Sequence, residues 1–208
     1  MSAPESWGAA ARDPRFRRHA ILTLIFVAFA ATVFSRFVVW VEARPGAILD
    51  DPVLALVGPH DLTVPAFALI YGALLLCIFT LGRSPDGTLL FLQVYFAMFL
   101  VRVVAMWTIP LDPPETIIRL TDPLTRALFG TAESPTRDLF FSGHTSTLFT
   151  CFLTAPSRRL AAVYAVGTVL IGAMMIVQHV HYTVDVLAAP FFVYGTYRGV
   201  LRLRSAWG

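Results

Sequence analysis

The sequence contains no lysine, and only 14% of its 208 residues are charged. Its basic residues are all arginines, and no basic run is interleaved with exposed aromatic residues as a nucleic-acid-binding surface requires. A soluble domain usually carries about 25% charged residues. The net charge of +3 therefore does not indicate a nucleic-acid partner, and the low charge content argues against an ordinary soluble domain.

Cysteine is also scarce, because the chain has only Cys77 and Cys151. Both lie inside apolar blocks of the sequence. Buried thiols of this kind usually serve as small packing residues. We therefore predict neither a disulfide nor a cysteine metal site.

What the sequence has in excess is apolar residues, at 57% of the chain with a mean hydropathy of +0.70. These residues gather into blocks near 20 residues long, the length that crosses a bilayer as a helix. We predict an all-α polytopic membrane protein with six transmembrane helices, at residues 19–41, 64–81, 88–109, 139–154, 160–177 and 182–201. They form one transmembrane domain, 19–201, between an N-terminal tail, 1–18, and a C-terminal tail, 202–208. The fourth span is short and polar.

The arginines are divided unequally between the two sets of connections. Ten arginines belong to the side of the membrane that holds the N-terminus, which includes both tails. The connections on the opposite side hold four, Arg44, Arg119, Arg126 and Arg137. The positive-inside rule then predicts that both termini are cytoplasmic. The span ends that carry His144 and His181 face the opposite, extracytoplasmic side. The Arg-only, Ala-rich composition indicates a bacterial source, and hence an inner membrane with a periplasmic site.

The stretch "HVHYTVDVLAAP" places His181 and Asp185 four residues apart at the start of the sixth span. On a helix this spacing puts both side chains on one face. The carboxylate can then fix one imidazole tautomer and leave the other ring nitrogen as a base or nucleophile. A polar pair that only anchors the end of the helix is the alternative.

A second histidine motif, "FFSGHTS", opens the fourth span. Ser142 suits a helix N-cap, and Gly143 permits close approach of the backbone, so free amides there can face an anion. His144 reaches the same space. An ordinary helix start is the simpler interpretation, but the topology brings both motifs to one membrane face.

Two histidines, one of them backed by a carboxylate, suit phosphoryl chemistry. One imidazole can attack phosphorus while the other protonates the departing oxygen. A metal site built from His144, His179, His181 and Asp185 is a rival interpretation, yet the sequence has no HExxH motif and no typical carboxylate cluster. We predict no metal and no cofactor.

The motifs Asp138–Thr145, D-x-x-x-S-G-H-T, and His181–Ala189, H-Y-T-V-D-V-x-x-A, resemble two signature motifs of sphingomyelin synthases. These enzymes are six-span members of the lipid phosphate phosphatase superfamily, also called type 2 phosphatidic acid phosphatases. The resemblance implies a catalytic triad of His144, His181 and Asp185. It also implies a phospholipid donor and a lipid alcohol acceptor, with His181 as the nucleophile.

The sequence departs from that pattern at one point. The sphingomyelin synthase motif usually opens with Cys-Gly-Asp, whereas this chain reads Thr136-Arg137-Asp138. The phosphatase branch of the superfamily instead carries a Lys-x6-Arg-Pro motif, and this chain has no lysine. We therefore favour transfer between lipids, through a phosphohistidine, over hydrolysis of a phosphomonoester. A lipid phosphatase and a catalytically silent lipid-binding protein are the alternatives.

Further candidates surround the triad. The predicted substrate-binding residues are Arg102, Asp138, Ser142, Gly143 and Tyr182. Arg102 lies within a span, so it either holds the phosphate or pairs with a buried acid. The roles of Arg36, Asp112 and Glu115 stay open, and Tyr182 fits an interfacial aromatic belt.

Overall fold

The protein is all-helical in the computed structural model, which describes residues 6–121 and 135–207. Within those residues the β structure is a single isolated bridge between Ala47 and Leu111. The helices, numbered in chain order, are α1 (Trp7–Arg12), α2 (Pro14–Glu42), α3 (Pro52–Leu56), α4 (Thr63–Leu81), α5 (Pro85–Thr108), α6 (Gly143–Thr154), α7 (Arg158–Val177) and α8 (Thr183–Trp207). The all-α prediction is confirmed for this part of the chain.

Four helices, α2, α4, α5 and α7, are long and apolar enough to cross a membrane. They correspond to the first, second, third and fifth predicted spans, and they fit an integral membrane protein. The other two spans are not confirmed, because α6 is short and α8 carries Arg198, Arg202 and Arg204. Both predicted tails are partly helical, since α1 and the start of α2 lie in one and the end of α8 lies in the other. Arg126, and residues 1–5 and 208 of the tails, lie outside the described residues.

The short helix α6 has 12 residues and packs against α4, α5, α7 and α8. At about 1.5 Å per residue it is roughly 18 Å long, well short of a hydrocarbon core of about 30 Å. Its hydroxyl groups bond to carbonyls one turn earlier, as in Ser146 to Ser142 at 2.6 Å and Thr150 to Ser146 at 2.8 Å. These bonds satisfy the polar side chains that weakened the hydropathy signal, so α6 can be buried among its neighbours.

Helices α7 and α8 approach closely beside the turn that carries His181. A methyl group added at Gly172 in α7 would lie 2.8 Å from Cγ1 of Val186 in α8. A side chain at Gly172 would therefore require Val186, or α8 itself, to move. The glycine helps to set how closely α8 packs against α7.

The opposite end of the bundle is joined by a separate polar network. Arg204 of α8 donates to the carboxylate of Asp86 and, at 2.9 Å, to Oε1 of Gln93 on α5. Gln93 in turn donates to Oγ1 of Thr23 on α2 at 2.7 Å. These contacts hold α8 at its C-terminal end, far along the helix from His181.

Candidate active site

His181 and Asp185 are both buried, with 2% and 0% of their side chains exposed. Nδ1 of His181 lies 3.4 Å from Oδ2 of Asp185, and that oxygen also accepts a hydrogen bond from the backbone N–H of Tyr182 at 3.1 Å. The other oxygen, Oδ1, has no hydrogen-bond partner among the described residues. His181 and the Tyr182 amide are thus the described hydrogen-bond partners of this buried carboxylate.

His144 lies in the first turn of α6, where Ser142 is the N-cap residue. The ring centroids of His144 and His181 are 6.1 Å apart, with the ring planes inclined by 66°. Phe67 of α4 meets the His144 ring edge to face at 6.4 Å. The structure therefore brings the two histidine motifs together, 37 residues apart in sequence, as the topology predicted.

A backbone hydrogen bond joins the two motifs directly. The N–H of Ser142 donates to the carbonyl oxygen of Asp185 at 3.0 Å, so the start of α6 is tied to the first turn of α8. The Ser142 hydroxyl is fully buried and accepts from the Thr145 hydroxyl at 3.1 Å and the Thr145 amide at 3.4 Å. Ser142 thereby fixes the relative position of the two histidine-bearing segments.

Arg102 of α5 lies against the start of α6 and is 2% exposed. Its guanidinium donates from Nε to the Phe141 carbonyl at 2.9 Å and pairs with Oδ1 of Asp138 at 2.7 Å. A methyl group at Gly143 would lie 2.8 Å from the guanidinium, so glycine is required for this approach. Of the two roles predicted for Arg102, the pairing with an acid is observed. Its contact with a phosphate stays a prediction, as does that of Asp138.

The turn between α7 and α8 is held by loops from elsewhere in the chain. His179 has a positive φ of 57°, which is unusual for a residue other than glycine. Its ring bonds to the Val57 carbonyl at 2.7 Å through Nε2 and to the Thr116 hydroxyl at 2.5 Å through Nδ1. Both ring nitrogens are therefore occupied in structural contacts, which removes His179 from the rival metal-ligand set.

Tyr182 and Thr183 continue this anchoring up to the start of α8. The Tyr182 hydroxyl donates to the Asp112 carbonyl at 2.9 Å and accepts from the Leu49 amide at 3.2 Å. Tyr182 is 1% exposed, so its assignment to an interfacial belt is wrong. The burial arises because the phenol reaches inward to two loop backbones, and its role in substrate binding stays a prediction.

Asp51 was not singled out by the sequence, yet it caps two helices. Its carboxylate accepts from the Val53 amide at 2.9 Å at the start of α3, and from the amide and hydroxyl of Thr183 at the start of α8. Partial burial alone would raise the pKa of Asp51, but the hydrogen bonds from Thr183 and α3 outweigh it and lower the pKa. The charged carboxylate therefore occupies the N-terminus of α8 and leaves the N-terminus of α6 as the candidate anion site.

Glu42, at the end of α2, holds the segment that leads into α6. Its carboxylate accepts from the Thr136 amide and hydroxyl at 2.9 and 2.7 Å and from the Arg137 amide at 3.0 Å. Arg137 in turn donates to the Glu42 carbonyl and to Oδ1 of Asp112 at 2.5 Å. The Arg137 hydrogen bond lowers the pKa of Asp112. Thr136 and Arg137, the residues that depart from the family motif, are thus the contacts of Glu42.

Removal of the Glu42 carboxylate should impair catalysis more than folding. We expect Glu42→Ala to lower kcat by about 10-fold, since a displacement of about 1 Å at a reacting group costs up to roughly 100-fold. Glu42→Gln, which keeps one acceptor oxygen, should lose less. Parallel measurements of kcat, KM and Tm test this, with Glu115→Ala as the control because Glu115 is exposed in the segment that follows α5. Equal activity in Glu42→Ala and Glu115→Ala would contradict it.

The other predicted candidates lie away from the histidines or in structural contacts. Arg36 and Glu115 are exposed. Cys77 and Cys151 are both free and buried in the core cluster formed by α4, α6 and α7, as expected for packing residues. Within residues 6–121 and 135–207, no three His, Cys, Asp or Glu side chains are grouped so as to hold a metal ion.

Comparison with known families places the site in context. Residues 137–200 match the family model described as PAP2 superfamily C-terminal. All of the predicted site residues except Arg102 fall within that range. No curated protein matches the chain. The match agrees with the resemblance to the lipid phosphate phosphatase superfamily and does not single out the sphingomyelin synthase branch.

Proposed function

Because residues 137–200 match the PAP2 superfamily C-terminal model, we propose that the protein is a membrane lipid phosphotransferase. It moves a phosphorylated head group from a phospholipid to a lipid alcohol of the ceramide or diacylglycerol type. The observation that supports the proposal is that the ring centroids of His144 and His181 are 6.1 Å apart. His181 also faces the buried carboxylate of Asp185. Such a histidine pair supplies a nucleophile and a separate acid–base group for one phosphorus atom.

In the first step, His181 forms a bond to phosphorus. With Nδ1 donating its proton to Asp185, the lone pair of His181 is on Nε2. Attack by Nε2 breaks the bond between phosphorus and the glycerol oxygen of the donor. His144, protonated at the start, gives its proton to that oxygen, and the lipid alcohol leaves while a phosphohistidine remains.

The second step reverses these roles with a different alcohol. Neutral His144 accepts the proton of the acceptor hydroxyl, and the hydroxyl oxygen attacks phosphorus. The bond to Nε2 of His181 breaks, which returns both histidines to their starting forms. During both steps the imidazolium character that develops on His181 is stabilised by the Asp185 carboxylate.

The charge around the site favours a phosphodiester donor over a phosphomonoester. Arg102, beside the start of α6, is already paired with Asp138. Among the described residues, the positive groups left for a substrate are the N-terminus of α6 and the protonated His144, which suit a phosphodiester better than a phosphomonoester dianion. A singly charged phosphodiester needs less positive charge, which supports a phospholipid with an intact head group as the donor.

We further propose that α6 and α8 complete a six-helix bundle with both termini in the cytoplasm. The arginine asymmetry supports this orientation. The site then faces the extracytoplasmic side, where the outer leaflet supplies both lipids. A reporter fused after residue 207 should be active on the cytoplasmic side.

A head-group transfer assay tests the function. We expect purified protein, given phosphatidylcholine with a labelled head group, to move the label to ceramide or diacylglycerol when that acceptor is added. Phosphatidylethanolamine and phosphatidylglycerol donors would identify the preferred head group. Label released into water instead would indicate a lipid phosphatase or phosphodiesterase. No movement of label with any of these lipids would contradict an enzymatic role.

A further inference from the structure

A groove of about 410 Å³ opens between α5 and α8, lined by Val101, Phe191, Phe192, Gly195 and Thr196. Thr196 is the one lining residue with a polar side chain, and its hydroxyl donates to the Phe192 carbonyl at 2.8 Å within α8. The one hydrogen-bonding side chain that lines the groove is therefore already engaged within α8. Its occupant must be apolar.

The groove lies at the depth of lipid tails. Val101 precedes the last residue of α5, Thr108, by seven positions, and Phe192 follows the first residue of α8, Thr183, by nine. At about 1.5 Å per residue, these positions are roughly 10 to 14 Å from the helix ends beside the histidines. Half of a hydrocarbon core is about 15 Å thick. The groove thus lies in the membrane leaflet on the same side as the site.

One wall of the groove reaches the site. The α5 wall does not, because Val101 and Arg102 are consecutive helical residues that point in different directions, and Arg102 faces inward with 2% of its side chain exposed. On α8, the ring of Phe192 stacks on Phe141 with centroids 4.6 Å apart and planes inclined by 8°. Phe141 in turn accepts the hydrogen bond from Arg102 and precedes the N-cap residue of α6. On the α8 side, Phe141 alone therefore lies between the groove residue Phe192 and the guanidinium of Arg102.

We propose that this groove binds an acyl chain of the lipid substrate whose phosphate lies at the start of α6. This assignment rests on the proposed function and extends it, because it makes tail length a determinant of specificity. A phospholipid held in this way has its ester phosphate near the histidines and one tail directed along α8. Val101, Phe192 and Gly195 then select substrates with long chains over substrates with short ones.

Two glycines on α8 allow a matched test. A methyl group added at Gly195 or at Gly199 meets no atom within 4 Å, so the fold tolerates a side chain at either position. Gly195 lines the groove, whereas Gly199, one turn further along α8, does not. Gly195→Leu fills the groove, and Gly199→Leu is the control for a leucine on the same helix.

We expect Gly195→Leu to lower kcat/KM for dipalmitoyl phosphatidylcholine by about 10-fold, the effect of displacing roughly two buried methylene groups. The same variant should lose much less with dihexanoyl phosphatidylcholine, whose six-carbon tails fill less of the groove. Gly199→Leu should match the unmodified protein with both donors. A loss with Gly195→Leu that is equal for both chain lengths, or no loss at all, would overturn the proposal.

A binding measurement separates this inference from the proposed reaction. Phosphatidylcholine with a diazirine on one tail should label the peptide that contains Phe192 in the unmodified protein, and Gly195→Leu should remove that label. This result does not require turnover, so it supports the groove even if the transfer assay fails. Labelling spread evenly over the lipid-facing residues of α5 and α8 would instead indicate bulk lipid or a second copy of the chain at this surface, and would overturn it.

Discussion

His181→Ala is expected to reduce turnover on the order of 10⁴-fold or more, the size of loss that follows removal of a catalytic nucleophile. The imidazole is buried, faces Asp185, and lies beside the ring of His144. Without it there is no group at this position to form a bond to phosphorus. Initial rates with a labelled phospholipid measure the loss. Rapid quenching followed by mass spectrometry of the peptide around residue 181 should detect the covalent intermediate in the unmodified protein only.

Two comparisons make that result specific. His60→Ala is the matched control, because His60 is exposed and its ring bonds within its own loop, to the Gly58 carbonyl at 2.7 Å. It should keep full activity. His144→Ala should also lose activity with natural lipids but recover part of it with a nitrophenyl phosphodiester, whose leaving group needs no proton. If His181→Ala also turned over the nitrophenyl ester, His181 would not be the nucleophile.

Local spacing indicated the central pair of the candidate site, but not the geometry that joins it. His181 and Asp185 are four residues apart, yet α8 begins at Thr183, so His181 lies in the preceding turn. The pair forms because the Asp185 side chain folds back to that turn, where Oδ2 also accepts from the Tyr182 amide. His144 required one further step, the arginine distribution, which predicts that its segment lies at the same membrane face. The two histidine motifs do lie together in the structure. The catalytic roles of His144, His181 and Asp185 stay predictions.

The contacts that orient this pair were not predictable in the same way. Glu42 and Thr136 are 94 residues apart, and Asp51 and Thr183 are 132 apart. The local sequence around Glu42 or Asp51 does not indicate its distant partner. Asp51 precedes a proline, and that pattern predicts only the cap of the adjacent helix, α3. Tyr182 shows the same limit, because an aromatic residue at a span end suits the membrane interface as well as a buried hydrogen bond.

The length of α6 was obscured for a different reason. Its serine and threonine residues lower the hydropathy of the segment, and hydropathy does not record that each hydroxyl can bond to the preceding turn. The helix is buried by its neighbours, so it need not be apolar all round. Hydropathy therefore gave a clear signal for α2, α4, α5 and α7 and a weak one for α6.

The second large effect is expected at Asp185, the fully buried partner of His181. Asp185→Asn keeps the size of the side chain. With the carboxamide oxygen in the place of Oδ2, it can still accept from the Tyr182 amide and from Nδ1 of His181, so the fold should persist. The negative charge, however, is lost, so the imidazolium character that develops on His181 during both steps is no longer stabilised. We expect kcat to fall by roughly 10³- to 10⁴-fold, the size of loss that the Asp→Asn change causes in a Ser-His-Asp triad, with KM little changed.

Separate measurement of kcat and KM distinguishes this role from packing. Asp61→Asn serves as the control, since Asp61 is an exposed carboxylate that accepts from the Thr63 amide at 2.9 Å, a bond that asparagine can also accept. A change in Asp185→Asn confined to KM or Tm would mean that the carboxylate only anchors the start of α8. A fall in kcat with Tm preserved requires the carboxylate charge itself, because size and the Tyr182 contact are retained. The i, i+4 pair then acts on the reaction and is not merely a polar anchor at the end of a helix.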